Sequence, residues 1–147
     1  MKKAFVVDCG SYKRDLLLTV GLDPDRIIKE IENRSGESLL PYEKERFSIG
    51  PRTLARSHWL ERLRFPVIQL KSFELTPRCL AVLAHEIFHS VVFLFDNIGI
   101  RLTDASDEAY AYQIEHVTER ILRQLMSKDR RQDNAKAKRK KPKGSTG

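Results

Sequence analysis

The stretch His85-Glu86-Ile87-Phe88-His89 sits in the most hydrophobic run of the chain and limits what that run can become. Two histidines four residues apart suit a helix, because four steps of the helical screw bring their side chains within about 40° of each other around the axis. Both imidazoles then face one point and can hold one metal ion. Glu86, next to the first of them, is free to take a proton from a metal-bound water. The helix is expected to open at Thr76-Pro77, an N-cap followed by proline at the first helical position, and to run to about Ile98 with Gly99 behind it. Being apolar on nearly all sides, it is expected to form the buried centre of the domain.

The flanking segments supply a sheet and two more helices. Ala4 to Asp8 reads as a strand, Cys9-Gly10-Ser11 as a turn, and Arg14 to Val20 as the hairpin partner. Asp23-Pro24 opens a helix to about Arg34, with Ile27, Ile28 and Ile31 on one face and Gly36 as its stop. Residues 37–50 are polar and read as a loop, while Arg52 to Trp59 fits either a short strand or a helical turn. Phe65 to Phe73 reads as a strand through Val67, Ile68 and Leu70, with Pro66 confined to its start or to a sheet edge. A link from Gly99 to Thr103 leads to a last helix, capped by Thr103 or Asp104, with Asp107 and Glu108 in its first turn. Ala109, Tyr112, Ile114, Val117, Ile121, Leu122 and Leu125 are its apolar positions. The expected fold class is α+β, a small mixed sheet packed on the HExxH helix with a second helix beside it.

Charge narrows the partners once it is located. The chain of 147 residues has a net charge of +7. Residues 128–147 hold nine Lys/Arg and two Asp/Glu, so residues 1–127 hold 27 − 9 = 18 basic and 20 − 2 = 18 acidic side chains, a net of zero. We therefore expect one domain over residues 1–127 and a disordered basic tail over residues 128–147. The tail is the only part with a bias toward polyanions, and weak nucleic-acid contact is expected from it alone. Cys9 and Cys79 are too few for a disulfide framework or a zinc ribbon. The apolar run Ile87 to Phe95 is interrupted by His89 and Ser90 and is too short for a bilayer. The opening Met1 to Val7 meets Asp8 too soon for a signal peptide. The expectation is a cytoplasmic protein with no membrane contact.

A catalytic zinc needs a third protein ligand and one open position. Glu108 is the best candidate. His89 stands about 15 Å of helix before Gly99, and Glu108 lies about 6 Å into the next helix. A five-residue link spans up to about 16 Å and covers the remaining ~9 Å if the helices run antiparallel. Small Ala109 and Ala111 would let the two helices approach. The alternative is a core helix with hydrogen-bonded histidines, but that leaves Glu86 as a costly buried carboxylate. For the donor to the oxyanion, Tyr112 is the first choice, with Tyr110, His116 and His58 behind it.

HExxH followed nineteen residues later by Glu108, in Asp107-Glu108-Ala109-Tyr110-Ala111, resembles the gluzincin branch of the zincin metallopeptidases. More loosely, Phe65 to Leu125 resembles small zincin-like proteins encoded by tailed bacteriophages. The resemblance implies that His85, His89 and Glu108 ligate one Zn²⁺, that Glu86 activates water, and that the substrate is a protein or peptide. It also implies that the strand Val67 to Phe73 pairs with an extended substrate, and places a phage-encoded form in the host cytoplasm. Two departures stand out. Gluzincins of the thermolysin kind carry an aspartate four residues after the ligand glutamate, where this chain has Tyr112; Asp104 or Asp107 is expected to take over that orienting role. They also use a second domain to wall the cleft, for which this chain has no room. An inactive zincin-like binding or virion-associated module with a structural metal is the competing expectation.

Overall fold

A computed structural model describes residues 1–12 and 14–127. The basic tail expected at residues 128–147 lies outside them. The strands are β1 (Lys3–Asp8), β2 (Asp15–Val20), β3 (Ala55–Leu60) and β4 (Phe65–Leu70), and the helices are α1 (Pro24–Ser35), α2 (Pro41–Glu45), α3 (Pro77–Asn97) and α4 (Asp107–Met126). The sheet runs in the order β1-β2-β4-β3. β1 is antiparallel to β2, β2 is parallel to β4, and β3 returns antiparallel to β4. The fold is therefore α+β, built on a mixed four-stranded sheet.

The two faces of the sheet bury two separate sets of side chains. Val7, Leu16, Leu18, Val20, Ile68 and Leu70 pack against Leu83, Ile87, Val91, Leu94 and Phe95 of α3 and Val117, Ile121 and Leu125 of α4. On the opposite face, Leu17, Leu60 and Val67 pack against Ile27 and Ile31 of α1, with Leu39 and Phe47 beside them. Side chains alternate faces along a strand, so Leu17 and Leu18 serve different layers. The result is helices on both sides of the sheet.

Local chemistry sets several boundaries. Asp23 accepts from the Arg26 amide at 3.0 Å and Gly36 closes α1 at φ 72°. Thr76 accepts from the Cys79 amide at 3.3 Å and opens α3. Residues 37–50 hold the short α2 in place of a continuous loop, and Arg52 to Trp59 resolves into β3. The cap of α4 is Ser106, neither Thr103 nor Asp104. Its hydroxyl turns back to accept from the Thr103 amide at 2.9 Å, which folds the link into a turn before the helix starts.

Pro66 sits one residue into β4, although that strand has neighbours on both sides. The pairing with β2 begins only at Leu17↔Val67. The Lys71 amide donates to the Leu54 carbonyl at 2.9 Å, and counting along the antiparallel register makes Trp59↔Pro66 a pair without ladder hydrogen bonds. No strand therefore needs the missing N–H.

α3 is buried on one side only. Leu83, Glu86, Ile87, Ser90, Val91, Leu94 and Phe95 are buried, whereas Ala81, Ala84 and His85 are exposed and Phe88 is 40% exposed. It is long and apolar enough by composition to cross a membrane, as core helices of its length often are, and here it packs on the sheet.

Candidate metal and proton-transfer site

The histidines of the motif project from the outer side of α3. Their Nε2 atoms stand 3.1 Å apart and their rings meet edge to face at 4.6 Å. Two nitrogens bound to one zinc at the tetrahedral angle stand about 3.3 Å apart, so the pair has the spacing of two ligands. The same spacing also suits an Nε2–H of one ring donating to the Nε2 of the other. Phe93 stacks on His89 with centroids 6.4 Å apart and steadies that ring from the next turn.

Glu86 turns the other way. It is 7% exposed, and its Oε2 accepts a 2.7 Å hydrogen bond from the Ser57 hydroxyl of β3. The same hydroxyl lies 2.8 Å from the Glu86 carbonyl oxygen, and Ser90 stands behind it at 3.4 Å. The burial of Glu86 is thus relieved by a serine, and does not by itself require a metal. Ser57 is a functional candidate the sequence did not disclose. Its strand was ambiguous, and only the register puts Ser57 on the α3 face.

The remaining expected residues lie elsewhere. Glu108 is exposed in the first turn of α4. The buried stripe of that helix is Tyr110, Gln113, Val117, Ile121 and Leu125, and Glu108, two positions before Tyr110, lies about 160° around the axis from it. Among the described residues, no three His, Cys, Asp or Glu side chains form a set that could hold one ion. The two imidazoles fit zinc, and the third donor is not assembled with them. Link length fixes how far along an axis Glu108 can reach, but not which way it faces.

Tyr112 is 68% exposed and lines an open groove of about 570 Å³ with Gly10, Tyr12, Gln113 and His116, apart from His85, Glu86 and His89. Tyr110, expected to be less central, is the core tyrosine: its hydroxyl donates to the Ile100 carbonyl at 3.0 Å and its ring meets Phe95 at 4.5 Å. His116 bonds the Asp8 carbonyl through Nε2 at 3.2 Å. His58 points to the opposite face of the sheet, where Nε2 meets Gln69 Oε1 at 3.1 Å and the ring packs on Phe47. Burial pushes its pKa down to about 4. Asp107 accepts from the Glu108 amide at 2.8 Å and Asp104 is exposed; neither bonds a motif histidine.

β4 is an inner strand, flanked by β2 and β3, so the expected pairing of Val67 to Phe73 with a substrate has no free edge to use. The free edge beside the motif belongs to β3. By the same register count, the main-chain groups of Ala55, Ser57 and Trp59 point outward. Arg46 donates to the Trp59 carbonyl at 3.0 Å, and Ala55 and Ser57 are left facing out. No protein-family model matches the chain, and neither a curated protein nor a solved structure matches it.

Proposed function

We propose that the protein is a zinc-dependent peptidase of zincin-like fold, with His85 and His89 as ligands and Glu86 as general base. The observation that carries this reading is the division of labour within the motif. Two imidazoles stand at ligand spacing on the outer face of α3, while the carboxylate of Glu86, next in sequence after His85, is held by Ser57 of the edge strand. Bound zinc would supply Lewis acidity to water and to a carbonyl oxygen. The chain's own residues do the rest. The edge of β3 binds an extended peptide through Ala55 and Ser57. Ser57 holds the Glu86 carboxylate, and a turn of that side chain toward the histidines lets Glu86 accept the proton of water and return it to the departing amine. Glu108 is the third ligand we propose. It sits in the first turn of α4 behind an exposed link, so its joining the histidines entails a shift of that turn.

The test is metal content and hydrolysis measured on the same preparations. Glu86→Gln should keep zinc and lose hydrolysis of a peptide library by at least a hundredfold. His85→Ala and Glu108→Ala should lose the metal. Equal zinc in the wild type and in His85→Ala would sink the site.

The second reading is a zincin-like binding or virion-associated module with a structural metal. It is favoured by the outward face of Glu108 and by the absence of a three-ligand set among the described residues. Zinc retained with no difference in cleavage between wild type and Glu86→Gln would decide for it. We place either activity in the cytoplasm, that of the host for a phage-encoded chain.

A further inference from the structure

A second cavity, of about 290 Å³, opens at one end of β3. Leu54, Leu70, Phe73 and Val82 make its walls apolar, and Ser72, Arg78 and Cys79 complete its lining. That size is at the low end for a ligand site and suits one side chain better than a long ligand. Arg78 is exposed and, among the described residues, has no hydrogen-bond or ion-pair partner. It stands in the first turn of α3, and that turn has no acidic residue. A cation there opposes the helix dipole, so it does not serve the stability of the helix.

The position of the cavity relative to Glu86 follows from three contacts. α3 runs alongside β3 in the same direction: Leu54 shares the cavity with Arg78 and Val82, Ser57 bonds Glu86, and Trp59 shares a cavity with Phe93. From Leu54 to Ser57 is about 10 Å of strand. From Arg78 to His85 is about 10 Å of helix. The cavity therefore lies about three extended residues from the proposed base. A peptide added antiparallel to β3 would run its carboxyl end toward Leu54, and a parallel one would bring a cationic amino terminus there. The unpaired guanidinium selects the first.

We infer that this cavity binds the carboxyl-terminal residue of a peptide, its apolar side chain inside and its carboxylate on Arg78. Resting on the peptidase reading, this makes the reaction the release of two or three residues from a carboxyl terminus. Water adds its hydroxyl to the acyl carbon and its proton to the departing amine, and the C–N bond breaks.

The probe is acetyl-tetraalanyl-leucine as the free acid, compared with the same peptide ending in a carboxamide. Binding is measured by calorimetry on the full-length chain without metal, so that no ion can take up the carboxylate. The free acid should bind at least fivefold more tightly than the amide. Arg78→Met should bring the two within twofold, and Arg78→Lys should keep most of the preference. Equal binding of acid and amide, no binding of either, or a preference that survives Arg78→Met overturns the inference. Mass spectrometry of the same peptides after exposure to zinc-loaded wild type separates the two claims. Fragments of two or three residues from the acid alone support both. Internal cuts in both peptides alike overturn the terminal site and leave the peptidase standing. An acid preference with no cleavage keeps the carboxylate site and removes the peptidase.

Discussion

The Ser57 hydroxyl lies within hydrogen-bond distance of two oxygens of Glu86, and its single hydrogen serves one at a time. The carboxylate is the stronger acceptor. The motif histidines were legible from sequence because their spacing is a local property of a helix. Ser57 was not, because its contact with Glu86 spans 29 positions and depends on strand register. His58, the next residue, shows what that register decides: one step along β3 moves a side chain from the motif to the opposite core. The consequence is measurable. Burial lowers the His58 pKa from its usual 6.5 to about 4, with the nearby Arg46 and Arg56 charges adding to the fall. The unfolded chain therefore binds the proton first as pH falls. The stabilisation is complete above pH 6.5 and is lost between about 6.5 and 4, a decline on the order of 3 kcal/mol. Urea titrations at pH 7, 5.5 and 4 should show it, and the ring resonances of His58 should titrate near the lower value.

The helices carry their own start and stop signals, and those were readable. Asp23-Pro24 and Thr76-Pro77 each place a side-chain acceptor ahead of a proline that needs no amide partner. Gly36 at φ 72° and Gly99 at φ 79° follow the ends of α1 and α3. Among the described residues nothing lies within 4 Å of where a Cβ on Gly36 would stand, so the cost of Gly36→Ala is that of a left-handed backbone. It should destabilise the protein by about 1 kcal/mol in urea without changing the slope of the transition. α4 was legible along most of its length: Val117, Ile121 and Leu125 are buried and Ala109, Ile114 and Leu122 pack beside them as expected, and the departure is confined to its first turns. Tyr110 and Gln113 point inward where Tyr112 was expected, since Tyr110 finds the Ile100 carbonyl and Gln113 donates to the Cys9 carbonyl at 3.1 Å. With Tyr110 turned inward, Glu108, two positions before it, faces outward.

Across the whole molecule, strand order was the least legible feature. Each strand was visible, or half visible, from its side chains. Nothing local distinguishes an inner β4 from an outer one, because the parallel pairing with β2 is made across more than forty intervening residues. The charge division was plain from sequence, and it predicts separable behaviour. Removing residues 128–147 should leave the zinc content unchanged and abolish retention on immobilised nucleic acid at low salt. Retention that persists would assign the polyanion contact to residues 1–127. The two borders of the sheet differ as well. Along β1, side chains of α4 cap the outward carbonyls: Gln124 donates to Val6 at 2.8 Å and His116 meets Asp8 at 3.2 Å. Among the described residues, β3 has only Arg46 over Trp59. A second copy adding a strand edge to edge would therefore meet fewer obstacles at β3 than at β1, where Gln124 and His116 already occupy two of the outward carbonyls.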